Sequence, residues 1–243
     1  ESQSRLKGFN QLVTELDEAT EAFLVDKLGQ LLPGCGFLTE ENTTNDTSKD
    51  AIWVIDPIDG TTNFFHGLPV FSISVALMMK GRIVLGVVYD PNRDETFSAF
   101  ANGGARLNGA SIQCRNTVQL SDSLLATGFP YYDFDQMDSY LNCLKHLLRN
   151  TRGMRRMGSA AIDLAYVAAG RFDGFFEYGL SPWDVAAGAL LVQEAGGVVT
   201  DFKGEKEFLL GKEIVAATAG IQPSLLEVIE QFFNKPKHKK ARD

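Results

Sequence analysis

The apolar run Ala51-Ile52-Trp53-Val54-Ile55 breaks off at Asp56-Pro57 and continues as Ile58-Asp59-Gly60-Thr61-Thr62-Asn63. A continuous β-prone run of this length reads as a buried strand that delivers its end into a loop. Two carboxylates three residues apart, locked by Pro57 at the mouth of such a strand, are poor material for a simple solvated face. Their spacing lets both converge on one hard cation. Gly60 permits close backbone approach, and the amides and hydroxyls of Gly60, Thr61 and Thr62 make a donor-rich turn suited to phosphate oxygens. Carboxylate and phosphate would repel by about 4 kcal/mol per charge pair at 4 Å and an effective dielectric near 20. A divalent metal between them reverses that sign, and Mg²⁺ prefers oxygen ligands of this kind. The same residues also suit an Asx-type turn, with Thr61 capping a short helix, and chemistry alone leaves both readings open.

Periodicity around this stretch predicts alternating layers. Leu12, Leu16, Ala19, Phe23, Leu24, Leu28 and Leu31 recur at helical spacing until Pro33-Gly34, predicting a long first helix from Leu12. A short strand is expected at 36–39. Residues 71–79 and 83–89 alternate about Lys80-Gly81, as a β-hairpin does. Strands follow at 95–100 and 124–128, then helices at 135–149 and 159–169 and a strand at 173–178. Ser181-Pro182 reads as an N-cap with proline at the first helical position, opening a helix that runs 182–195 to Gly196-Gly197. Strands at 198–201 and 214–218 and a helix at 223–233 complete a mixed chain, layered rather than doubly wound.

Composition narrows the function classes. Of 243 residues, 44% are hydrophobic and 22% charged, a globular composition that argues against disorder. The formal net charge is −8, but the last nine residues hold five basic side chains against one aspartate, a net of +4, so the rest stands at −12. So acidic a body repels nucleic-acid phosphates, and no nucleic-acid partner is expected. Cys35, Cys114 and Cys143 form neither a disulfide framework nor a zinc cluster, which fits a cytoplasmic location. No apolar run approaches the ~20 residues of a membrane span, and no signal peptide is visible in ESQSRLKGFN, so no membrane partner is expected.

The remaining acids are ambiguous when read one at a time. Glu40 and Glu41 follow a short strand, where solvent exposure is the plain reading. Asp184 lies in the first turn of its helix, where the macrodipole favours a carboxylate regardless of function. Glu177 ends a strand of aromatic residues as either a rim or a site residue. Asp17 and Thr14, near the start of the first helix, read as surface residues. His66, His146 and His238 pair with no nucleophile, and GxSxG, GxGxxG and GxxxxGK runs are absent.

Taken together the motifs resemble the inositol monophosphatase family of Mg²⁺-dependent, Li⁺-sensitive phosphatases. WVIDPIDGTTNF (53–64) and WDVAAGALLVQEAGG (183–197) are similar to the family's two signatures. LVTELD (12–17), LTEE (38–41), GVVYDP (86–91), LNG (107–109), LATGFP (125–130) and RRMGSAA (155–161) extend the resemblance over about residues 9–233. It implies an α+β fold, a five-layer α/β/α/β/α sandwich of the inositol monophosphatase and fructose-bisphosphatase type, in a homodimer. Residues 1–234 would form one phosphatase domain without the family's usual leading helix, and 235–243 a basic, disordered tail. The metal ligands implied are Glu40, Asp56, the carbonyl of Ile58, Asp59 and Asp184, holding two or three Mg²⁺, the third weaker and near Glu40 and Glu41. Glu40, Thr61 and Asp17 are the implied catalytic residues: Thr61 and Glu40 would hold a metal-activated water, with Asp17 orienting Thr61. Asp59, Gly60, Thr61, Gly158, Ser159, Ala160, Glu177 and Asp184 would bind the substrate.

The resemblance implies direct hydrolysis of a small phosphorylated polyol, myo-inositol 1-phosphate foremost. Fructose 1,6-bisphosphate and 3′-phosphoadenosine 5′-phosphate are the alternatives; Thr62-Asn63 after the DGT motif favours the inositol-like branch. A catalytically silent regulatory relative is the non-enzyme alternative, against which retention of Glu40, Asp56, Asp59, Thr61 and Asp184 argues. The polar connection ENTTNDTSKD (41–50) is expected to be a mobile lid.

Overall fold

The computed structural model describes residues 4–8, 11–130 and 134–233. The expected basic tail lies outside the described residues. An antiparallel pair, β1 (Ser4–Gly8) and β2 (Gln11–Thr14), precedes helix α1 (Glu15–Leu31). The helix therefore starts three residues later than its periodicity predicts, where Glu15, Asp17 and Glu18 place three acids at the positive end of the helix dipole.

A seven-stranded sheet follows, in spatial order β3 (Gly36–Thr39), β4 (Ala51–Asp59), β5 (Ser72–Met79), β6 (Arg82–Asp90), β7 (Glu95–Phe100), β8 (Ala105–Leu107) and β9 (Ala110–Ile112). Only β3 and β4 run parallel. Strand β4 does not end at Asp56 but runs on to Asp59, its pairing with β5 shifting between those two residues. The short helix α2 (Thr61–Phe65) comes next in the chain. The second sheet has the order β11 (Gly153–Arg155), β10 (Leu124–Thr127), β12 (Gly174–Tyr178), β14 (Glu213–Thr218) and β13 (Gly197–Thr200).

Helices α4 (Ala160–Ala168) and α5 (Pro182–Glu194) lie between the sheets. Every residue of α4 is buried, as are Val185 to Val192 of α5, as expected of helices apolar all round. Helices α3 (Met137–Asn150) and α6 (Gln222–Phe233) cover the outer face of the second sheet, packing Tyr140, Cys143, Leu147, Leu225 and Ile229 on Phe176 and Val215. Helix α1 covers the outer face of the first sheet through Leu24, Val25 and Leu28 on Phe37, Trp53 and Ile55. The sequence of layers is thus α/β/α/β/α. Strands β8, β9 and β11, each three residues long, carry too little alternation for the periodicity to reveal them.

Two faces turn out other than the apolar pattern suggests. On β5 the small residues Ser72, Ser74 and Ala76 are buried, while Ile73, Val75 and Leu77 are only half-buried. The small face admits α5: Ala76 pairs with Gly86, and a Cβ on Gly86 would lie 2.8 Å from the Ala187 carbonyl oxygen. The Ser74 hydroxyl donates to the Trp183 carbonyl at 3.1 Å. On α1, Leu16, Phe23 and Leu31 are exposed, whereas Asp17 and Glu21 are fully buried. The inward face of the helix is shared between those two acids and Leu24, Val25 and Leu28.

Glycine at position 86 is therefore required by backbone contact with α5. Gly86→Val is expected to destabilise the fold by about 1–3 kcal/mol through overpacking, a fall in Tm of several degrees on thermal unfolding. An unchanged Tm would show that the layers can separate at no cost.

Candidate metal and phosphate site

The parallel ends of β3 and β4 and the N-termini of α4 and α5 meet at one cleft of about 710 Å³. Glu40, Asp56, Ile58, Asp59, Gly60, Thr61, Gly158, Ser159, Ala160, Glu177 and Asp184 all line it. Asp17 stands behind the lining, where its Oδ1 lies 3.3 Å from the Thr61 hydroxyl. It is not the surface residue that its helical position suggests.

Each acid at the centre has an oxygen fixed by a backbone amide. Asp56 Oδ1 accepts from the Ile58 amide at 3.0 Å, a turn that aims the Ile58 carbonyl toward the Thr61 hydroxyl, 3.0 Å away. Asp59 Oδ2 accepts from the Ser159 hydroxyl at 2.5 Å and the Ala161 amide at 2.7 Å, both at the start of α4. Asp184 Oδ2 accepts from the Ser181 amide at 2.7 Å, so the expected capping role is real and uses only one oxygen. One oxygen from each of Asp56, Asp59 and Asp184 lies within 4.8 Å of the others. The expected Asx-type turn forms at Asp56, whereas Thr61 does not cap the short helix: Gly60 occupies the N-cap position and the Thr61 hydroxyl donates to the Ile58 carbonyl.

Gly60 adopts φ 100°, and a Cβ there would meet the Gly158 and Val70 carbonyls at 3.0 and 3.1 Å. The position thus requires glycine for both its torsion and its contacts. Asn63 fixes the same junction, its amide donating to the carbonyls of Val70 at 2.7 Å and Met157 at 2.9 Å. Ser159, expected to meet substrate, has its hydroxyl committed to Asp59 and to capping α4 through the Ile162 amide. What it offers the cleft is backbone.

The 41–50 connection, expected to be a mobile lid, is pinned to α1. The buried Glu21 carboxylate accepts from the amides of Glu41 at 2.7 Å and Thr43 at 2.9 Å and from the Thr43 hydroxyl at 2.6 Å. Asn45 Oδ1 accepts from the Thr39 amide at 2.9 Å, and Phe37 pairs with Asp46 in an antiparallel bridge. Glu21 escaped the sequence reading because nothing in an exposed-looking helix distinguishes it from its neighbours. Arg156 and Asp163 were also missed, although both lie in or beside RRMGSAA, and both line the cleft.

Burial is the largest influence on every central carboxyl. It pushes Asp56 well above the ordinary range, helped by Glu40, Asp59 and Asp184, and raises Asp184 with help from Asp59 and Glu40. Asp59 rises to about 6 by burial, held back by the Ser159 hydroxyl and the α4 amides. Glu177, 8% exposed rather than on a rim, is raised by burial and by Asp184 and Asp59. Like charges at 4.8 Å repel by about 3–4 kcal/mol per pair at an effective dielectric of 20. The donor set is all oxygen, which suits Mg²⁺, whose ~2.1 Å bonds put ligands at most about 4.2 Å apart.

A carboxyl raised in the folded chain binds its proton more tightly there than when unfolded. Metal-free stability therefore falls as pH rises from 3.8 toward and beyond about 6, the interval over which Asp59 loses its proton. Tm in a chelator is expected to decline across that range. The Tm increase given by Mg²⁺ should widen with pH, and Asp59→Asn should reduce both effects. A Mg²⁺ shift independent of pH would contradict metal binding by these groups.

Comparison with known proteins agrees with this geometry. Residues 1–233 match the sequence profile described as "Inositol monophosphatase family". The "Nus factor SuhB" of Pseudomonas aeruginosa is 48% identical over 229 residues, covering 92% of this chain and 84% of that protein. The "extragenic suppressor protein suhB" of Bartonella henselae superposes with a TM-score of 0.91 at 40% identity, over 95% of this chain and 89% of the other. The "Inositol monophosphatase" of Anabaena (Nostoc) gives 0.84 at 40% identity, over 89% and 86%. With the layered fold, the acidic cluster and these matches in agreement, the chain belongs to the inositol monophosphatase family.

Proposed function

We propose that the chain is a Mg²⁺-dependent, Li⁺-sensitive hydrolase of small phosphate monoesters, with myo-inositol 1-phosphate as its preferred substrate and a homodimer as its working form. The observation that carries this reading is the convergence of Asp56, Asp59 and Asp184 beside the Gly60-Thr61 turn in one cleft. Two or three Mg²⁺, held by those aspartates with Glu40 and the Ile58 carbonyl, would neutralise phosphate charge and acidify a coordinated water.

The chain's own groups have distinct tasks in this scheme. The amides of Gly60 and Thr61 donate to phosphate oxygens and orient phosphorus in the cleft. The Thr61 hydroxyl, within reach of Asp17 Oδ1 and the Ile58 carbonyl, fixes the attacking water together with the Glu40 carboxyl. Glu177 accepts from hydroxyls of the alcohol, whose carbon skeleton rests on the backbone of Gly158, Ser159 and Ala160. The phosphoryl group passes directly to water, with no intermediate on the protein.

A second reading, a role without turnover, is favoured by the 48% identity to a protein named a Nus factor. Complementation of a bacterium lacking its own SuhB separates the two. Rescue by both wild type and Asp59→Asn supports the second role, whereas rescue by wild type alone ties it to the metal site.

The enzymatic reading is checked by phosphate release from inositol 1-phosphate, fructose 1,6-bisphosphate and 3′-phosphoadenosine 5′-phosphate, with Mg²⁺ and with Mg²⁺ plus Li⁺. The fastest, Li⁺-suppressed release should come from the inositol ester. Asp59→Asn and Asp184→Asn should each lower turnover at least about 100-fold with circular dichroism unchanged. Near-normal turnover in either folded variant would refute the assignment.

A further inference from the structure

The inner wall of the cleft contains a carboxyl that the scheme above does not use. Asp163 sits in the first turn of α4, its amide bonded to the Ser159 carbonyl at 3.0 Å and its side chain lining the cleft. The residue is 1% exposed, and its Oδ1 is buried without any hydrogen-bond partner. A buried oxygen in that state is unfavourable, and native structures rarely leave one unfilled.

The charged groups near enough to act on it electrostatically are Glu177 from β12, Asp59 from β4 and Arg156 from the segment after β11, and all three line the same cleft. Glu177 is itself fixed against backbone: a Cβ on Gly128 would fall 2.0 Å from its carboxyl atoms. The α4 amide that could have served a neighbouring oxygen, that of Ala161, is already given to Asp59. This wall therefore presents carboxyl acceptors with one guanidinium among them. A substrate hydroxyl placed here would bring a donor to the Asp163 Oδ1, which has none.

We propose that Asp163 is a specificity-determining residue, whose Oδ1 accepts a hydrogen bond from a substrate hydroxyl remote from the phosphoester. With Glu177 it selects a polyhydroxylated alcohol over a leaving group that has no hydroxyls. The inference rests on the phosphatase reading and deepens it.

The test compares kcat/KM for inositol 1-phosphate with kcat/KM for phenyl phosphate, whose leaving group has no further hydroxyl, in wild type and Asp163 variants with Mg²⁺. In Asp163→Ala the ratio of the two should fall about 10- to 100-fold. Asp163→Asn, which keeps an oxygen acceptor at the same place, should restore most of the ratio. Asp163→Leu, of similar volume and without an acceptor, makes the same comparison if the alanine variant does not fold. An unchanged ratio in Asp163→Ala or Asp163→Leu would overturn the inference, as would an asparagine variant no more selective than alanine. Wild-type protein inert on both esters would overturn the phosphatase reading and this inference with it. An active wild type confines any failure to Asp163.

Discussion

Mutual repulsion among buried carboxylates is the constraint to which the rest of the molecule answers. Asp56, Asp59 and Asp184 come from one strand end and one helix start, and their oxygens lie within 4.8 Å. They stay there because each has one oxygen tied to a backbone amide, that of Ile58, Ala161 or Ser181. Those amides belong to a turn and to the N-termini of α4 and α5, where helix dipoles favour negative charge. The layered fold supplies this arrangement by sandwiching both helices between two sheets, with their N-termini at the carboxyl ends of β3 and β4. What the fold cannot supply is the last charge balance, which the cluster leaves to protons or to a cation.

The central helices are held at that point by absence of bulk. Ala187 of α5 sits on Gly86, and Gly188 faces Leu164 of α4 so closely that a Cβ would come within 2.5 Å of the leucine Cβ. Small residues on β5 and β6 thus let a helix approach a sheet more nearly than leucine or valine would allow. The approach sets the depth at which Asp184 enters the cleft.

Much of this was legible in the chain. The Ser181-Pro182 start and the hairpin about Lys80-Gly81 are local signals, and local signals survive folding when tertiary partners reinforce them. Illegible parts were those whose meaning lies in a distant partner. Asp17 and Glu21 look like solvent-facing acids until Thr61 and the 41–43 backbone are placed beside them. Of the leucines of α1, Leu24 and Leu28 do face the sheet, whereas Leu16 and Leu31 are exposed and the buried Asp17 and Glu21 share the inner face. Asp163 carries no sequence signal as strong as the DGT motif, since its significance is an unfilled oxygen, and spacing does not encode that.

Asp17 and Glu21 lie one turn apart on α1 and reach different parts of the cleft. Asp17 reaches the Thr61 hydroxyl at the end of β4, and Glu21 grips the backbone that follows Glu40 at the end of β3. A rigid rod touching two points links their positions, so a shift or roll of α1 displaces both strand ends together. The outermost helix thereby acts as a common alignment bar for the two halves of the centre, and neither half can drift out of register while the other remains true.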